Sequence, residues 1–202
     1  MNTKLFALPM FSLLLVALAA CGGVTTTPGT DSRGTPTAGN KVETATSSKE
    51  DGFTLTSPDL PADGRLPAEY TCDGTSSTLA LNWSGAPAGT AAYAVIMHHV
   101  ASPTDIHWYW VVYNIPADVT SLPKNFTGIG TLGTNSVNDR TEYAPPCSKG
   151  PGDKMYTYMV YALSAQPQLS VPASQVTRAV LLDAIQNITL ASAELQVVYA
   201  RP

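Results

Sequence analysis

Short runs rich in Val, Tyr, Trp and Thr recur between turn residues along most of the chain. They are GFTLTS from Gly52, LALNWSG from Leu79, AAYAVIMHH from Ala91, WYWVVYNI from Trp108, MYTYMVYAL from Met155 and AELQVVYA from Ala193. β-Branched and aromatic side chains suit a pleated surface, so each run predicts a strand. In the Met155 run, Met155, Thr157, Met159 and Tyr161 alternate with Tyr156, Tyr158, Val160 and Ala162. Both faces carry apolar or aromatic groups, which predicts an interior strand covered on two sides. The same alternation puts Trp108 and Trp110 together, opposite Tyr109, and favours core packing for both tryptophans over a stacking platform.

Helical spacing is convincing in one place. After Pro172, Ser174 is suited to cap a helix that gathers Val176, Val180, Leu181, Ala184 and Ile185 on one side, with Asn187 placed to end it. A second, shorter helix is expected around Leu190 to Leu195, and no internal repeat is visible. Many strands and little helix predict a mainly β protein, an antiparallel β-sandwich with one or two short helices near the C-terminus.

The N-terminal pattern is different. Lys4 precedes an apolar run from Leu5 to Ala20, and Leu18-Ala19-Ala20 leads into Cys21. Residues 1–20 read as a signal peptide, too short and wrongly flanked for a transmembrane helix. The Leu-Ala-Ala-Cys junction resembles a bacterial lipobox, so Cys21 is expected to carry a lipid anchor in the cell envelope. Gly22 resembles the outer-membrane sorting signal of a diderm cell; the competing reading is an ordinary secretory signal with an incidental Cys. Residues 21–50 are Thr, Gly, Ser and Pro with a few charges. Such a stretch buries no core and is expected to be a disordered tether, placing the domain on the order of 30 Å from its anchor. Residues 51–202 are the right length for one domain.

A formal charge of -4 without a Lys/Arg cluster argues against nucleic acid as a partner. With Cys21 lipidated, Cys72 and Cys147 remain as a pair in an exported protein. They form either a disulfide, worth about 4–5 kcal/mol in the chain-entropy model, or two inert buried thiols.

Five motifs in order then become informative together: LPAEYTCDG at Leu66, LNWSGAPAGT at Leu81, WYWVVYNIP at Trp108, GDKMYTYMVYAL at Gly152 and LASAELQVVYA at Leu190. The chain resembles the phosphatidylethanolamine-binding protein family, in its bacterial Raf kinase inhibitor-like branch. That resemblance implies a Greek-key β-sandwich with a small anion pocket at one end, built from an Asp-Pro-Asp-Ala-Pro stretch, a Trp-x-His-Trp strand and a Gly-x-His-Arg-Tyr strand. Here His99 and Ala101 replace the two acids and only Pro103 is kept. Tyr109 stands in the place of the strand His, and Lys154 and Met155 in the place of His-Arg, while Gly152 and Tyr156 match.

These replacements act in one direction. Losing two carboxylates while gaining the Lys154 ammonium favours an anion and disfavours the amine of ethanolamine. His99, Tyr109, Lys154 and Tyr156, with Gly152 and Pro103 beside them, are therefore the candidate ligand-binding residues for a small anion or phospholipid headgroup. His99, Tyr109 and Tyr156 each offer a hydrogen-bond donor to such a group.

His98, His99 and His107 are the only histidines. The first two are adjacent on a strand and point to opposite faces, and no third ligand stands at a familiar spacing, so no metal site is expected. No Gly-x-Ser-x-Gly or His-Glu-x-x-His motif is present, and no catalytic residue or cofactor is assigned. GIGTLG at Gly128 matches a dinucleotide fingerprint in letters only, because no βαβ unit surrounds it. The expected function is non-enzymatic anion binding at the envelope, with membrane attachment through Cys21. A second reading is an inhibitor or interaction module whose loops engage an envelope protease or another protein.

Overall fold

The computed structural model describes residues 52–201. The expected signal peptide, the lipidation of Cys21 and the tether lie outside the described residues. Eight strands and one α-helix follow in chain order: β1 (Thr54–Thr56), β2 (Leu81–Ser84), β3 (Ala92–Ser102), β4 (Asp105–Pro116), β5 (Ser121–Leu122), β6 (Thr131–Leu132), β7 (Lys154–Leu163), α1 (Arg178–Ile185) and β8 (Thr189–Tyr199). Every run that the sequence marked as a strand is one. Strands β1, β2 and β5 form a small sheet in the order β1-β2-β5, and a second sheet runs β6-β4-β3-β7-β8. All strand pairs within the two sheets are antiparallel.

The large sheet is apolar on both faces, and this fixes the layering. One face sends Val95, Met97, Val112, Tyr158, Val160 and Val197 against Leu55, Leu81, Trp83 and Leu122 of the small sheet. The other sends Ala94, Ile96 and Val111 against Val176, Leu181 and Ile185 of the helical segment. Strand β7 lies between β3 and β8, as its two-sided pattern predicts. Each fully buried Leu, Ile or Val contributes about 1.5–3 kcal/mol by leaving water. Among the described residues, no helix is long and apolar enough to cross a membrane.

Three expectations need correction. The segment Leu190 to Leu195 is not helical: it belongs to β8, which pairs with β7 from Thr189 to Tyr199. Ala193, Val197 and Tyr199 are buried while Leu190, Ser192, Glu194 and Gln196 are exposed, a period of two that only a strand satisfies. The helix also starts later than Ser174. Residues Ala173–Gln175 form a single 3₁₀ turn, and α1 is capped by Thr177, whose Oγ1 accepts the Val180 N–H at 3.2 Å.

The third correction bears on the site. Met97 pairs with Trp110 and His98 with Trp108, so one step along β3 spans two along β4 and Tyr109 is the extra residue of a β-bulge. The bulge resets the alternation. Tyr109 and Trp110 both join the core between the sheets, whereas Trp108 packs toward the helix. Strict alternation had placed the two tryptophans on one face, and a bulge is what breaks that rule.

Cys72 and Cys147 are joined in a disulfide, Cα to Cα 5.3 Å, across 75 residues. The reading as inert thiols falls. The bond and the Cys72 N–H donating to the Pro146 carbonyl at 3.0 Å tie the loop after β6 to the loop before β2.

Candidate functional site

Antiparallel pairing of β3 with both β4 and β7 brings three chain segments to one end of the large sheet. His99 lies opposite His107 across the β3–β4 hairpin, and His98 opposite Thr157 across the β3–β7 pair. A cavity of about 410 Å³ opens there, lined by His99 and Ala101 from β3, His107 and Tyr109 from β4, and Lys154 and Tyr156 from β7. Four of the six sequence-derived site residues, His99, Tyr109, Lys154 and Tyr156, thus meet around one hollow. Pro103 and Gly152 are not in the lining. Pro103 sits exposed in the two-residue turn between β3 and β4, and Gly152 is exposed just before β7. Gly152 has φ +95° with open space around its Cα, so its glycine character serves the backbone turn and not contact with a guest.

The donors are held in place. His99 Nδ1 donates to the Met155 carbonyl at 2.7 Å. A carbonyl only accepts, so Nδ1 carries the hydrogen, and a neutral ring keeps its lone pair on Nε2. His99 therefore offers a second donor only as the imidazolium, which narrows the role the sequence suggested. The His99 and Tyr156 rings pack with centroids 5.4 Å apart, and Tyr109 meets Tyr156 edge to face at 5.3 Å. Burial pushes the Tyr156 phenol above its usual range, and the neighbouring Tyr109 hydroxyl adds to this. Burial likewise raises Tyr109; the Tyr156 hydroxyl pulls the other way and the Asp105 carboxylate adds to the rise. Both phenols keep their protons and remain donors.

The charges around the hollow are of one sign. No Asp or Glu lines it, while Lys149 and Lys154 do. Among the described residues neither ammonium has a carboxylate at salt-bridge distance. Two acids stand nearby without lining it: Asp105 is paired with His107 Nε2 at 3.1 Å, at the edge of the hollow, and Asp153 with Arg65 at 3.3 Å, outside it. His98 points to the opposite face from His99. Burial, then the Arg178 guanidinium, then His99 lower its pKa to about 4, so it is neutral near pH 7. No three His, Cys, Asp or Glu side chains among the described residues converge to hold a metal.

A further wall was not read from the sequence. Ser136 and Val137, and the segment Pro145–Lys149 with Cys147 and Ser148, complete the lining. Backbone bonds along β4 place them: Ser136 N–H donates to the Trp108 carbonyl and Ala144 N–H to the Tyr109 carbonyl, each at 2.8 Å. The one available signal was Cys147, since pairing it with Cys72 anchors this loop. The GIGTLG segment lines a separate hollow of about 580 Å³ with Trp110, Phe126 and Tyr143. Its single carboxylate, Glu142, already binds Arg140 and Asn138.

Comparison with known proteins bears on family and fold. Residues 56–200 match the family described as phosphatidylethanolamine-binding protein. A UPF0098 protein of Methanothermobacter thermautotrophicus is 32% identical over 143 residues, covering 68% of this chain and 92% of that protein. The Escherichia coli UPF0098 protein YbcL is 30% identical over 164 residues, covering 73% of this chain and 87% of its own. The crystal structure of YbcL, described as a member of the mammalian PEBP family, superposes with a TM-score of 0.66 at 26% identity, over 75% of this chain and 99% of that one. A Chlamydia trachomatis homologue of the same fold gives a TM-score of 0.67 at 24% identity, over 75% and 99%.

Proposed function

The chain belongs to the phosphatidylethanolamine-binding protein family, and from that premise we propose that it is a non-enzymatic binding protein for a small phosphate-bearing ligand or phospholipid headgroup. The lipid anchor on Cys21 holds it at the bacterial envelope. One observation carries the reading: the hollow beside Tyr156 is lined by two lysines that have no carboxylate at salt-bridge distance among the described residues, by two protonated phenols, and by no carboxylate. Such a lining neutralises an anion without first breaking an internal ion pair. Each charge-assisted hydrogen bond contributes about 1.5–3 kcal/mol, so Lys154, Tyr109 and Tyr156 together support affinity in roughly the micromolar to millimolar range after ordering costs.

The same composition sets a preference. An ethanolamine ammonium finds no carboxylate in the lining and is repelled by Lys149 and Lys154, so the amine lowers the affinity for the phosphate. Calorimetric titration of methyl phosphate and phosphoethanolamine into the domain, with and without Lys154→Gln, tests this. Tighter binding of methyl phosphate than of phosphoethanolamine, with methyl phosphate weakened in the variant, supports the reading; absence of heat with both ligands in the unmodified domain sinks it.

A further inference from the structure

Ser148 lines the cavity, is only 6% exposed, and its Oγ has no hydrogen-bond partner among the described residues. A closed-off hydroxyl without a partner is costly, and such groups are retained where something else supplies the missing bond. Next to it Lys149, exposed and without a carboxylate at salt-bridge distance among the described residues, also lines the cavity, and Cys147 on the other side is pinned to Cys72. The segment that bears all three is therefore fastened at the mouth of the hollow. A volume of about 410 Å³ also exceeds what a bare phosphate fills and leaves room for an ester substituent.

Resting on the anion-pocket reading above, we infer that the disulfide-held segment Pro145–Lys149 is a fourth ligand-binding wall: Ser148 Oγ, closed off and unpartnered among the described residues, turns about χ1 to donate to the bound anion, and Lys149 makes the site select a dianionic phosphomonoester over a monoanionic phosphodiester. Lys154 alone balances one charge. A monoester carries close to two negative charges above its second pKa near 6, whereas a diester carries one. The second ammonium is matched only by the monoester.

The test is competitive binding at pH 8 of phenyl phosphate and of its methyl ester, methyl phenyl phosphate, to the protein with its disulfide intact. Ser148→Ala and Lys149→Gln are compared with Lys154→Gln, and melting temperature is read for each. The expected pattern has the unmodified protein favouring the monoester by about tenfold, falling to below about threefold in Lys149→Gln. Ser148→Ala weakens phenyl phosphate about tenfold while its melting temperature holds or rises, because the hydroxyl has no internal bond to lose. If Lys154→Gln loses affinity but Ser148→Ala and Lys149→Gln bind as the unmodified protein does, the fourth wall is overturned and the pocket survives. Equal affinity for monoester and diester overturns the selectivity. No binding of either probe to the unmodified protein overturns this inference together with the pocket itself.

Discussion

The Tyr109 and Tyr156 rings meet edge to face, centroids 5.3 Å apart and planes at 76°. Each arrives by a different device: Tyr156 by regular alternation along β7, Tyr109 by the bulge in β4. The contact joins two strands that are not neighbours in the sheet, with β3 between them. Removing only the Tyr156 hydroxyl leaves that packing intact. Tyr156→Phe is expected to weaken methyl phosphate binding about tenfold with little change in melting temperature. Calorimetry and a thermal melt on one sample decide it, and undiminished affinity counts against Tyr156 as a ligand group.

Because Tyr109 is the extra residue opposite the Met97–His98 step, deleting it restores regular pairing of Met97 with Trp110 and His98 with Trp108. The deletion variant is expected to fold, less stable by about 1–3 kcal/mol for the lost packing and the lost Ala144 bond, and to bind no phosphate ester. Circular dichroism and titration check both parts. An unfolded product, or one that binds normally, contradicts the account of the bulge.

His98 predicts an acid-sensitive stability. Its folded pKa of about 4 lies below the ordinary value of 6.5, so the unfolded chain binds the proton more readily. The contribution is fully present above pH 6.5 and is lost as pH falls toward 4. The shift corresponds to at most roughly 3 kcal/mol, and about 1–2 kcal/mol after allowance for the partly open ring. The groups acting on it are Arg178, which begins the helix, and His99 on its own strand. Urea midpoints at pH 7.5, 6, 5 and 4 should decline in the native protein and decline less in His98→Phe.

The disulfide closes a long loop, so its removal acts mainly on the unfolded state. Cys72→Ala/Cys147→Ala is expected to lower the urea unfolding free energy by about 2–5 kcal/mol. An unchanged midpoint shows that the chain between the two positions is already restrained by other contacts.

Legibility in the sequence followed physical locality. Strands such as β3 and β7 were visible because β-branched and aromatic residues alternate along them, and α1 because its apolar positions recur at helical spacing. The Leu190-to-Leu195 region misled because its leucines and alanines suit a helix, and the decisive partner, β7, is distant in sequence. The bulge at Tyr109 left no local mark, since it is defined by pairing with β3. Family pattern singled out His99, Tyr109, Lys154 and Tyr156, which the fold does gather around one hollow. Ser148 and Lys149 were missed because nothing in the stretch APPCSKG says that it folds back over β4; the Ala144 N–H bond to the Tyr109 carbonyl that holds it there joins positions distant in sequence.

The central claim is that this hollow receives a negatively charged guest, and a crystal structure of the domain grown with methyl phosphate tests it most directly. The account predicts a tetrahedral group within hydrogen-bond distance of Lys154 Nζ and of the Tyr109 and Tyr156 hydroxyls. A hollow closed by packed side chains, or ordered phosphate only at other surfaces, contradicts it.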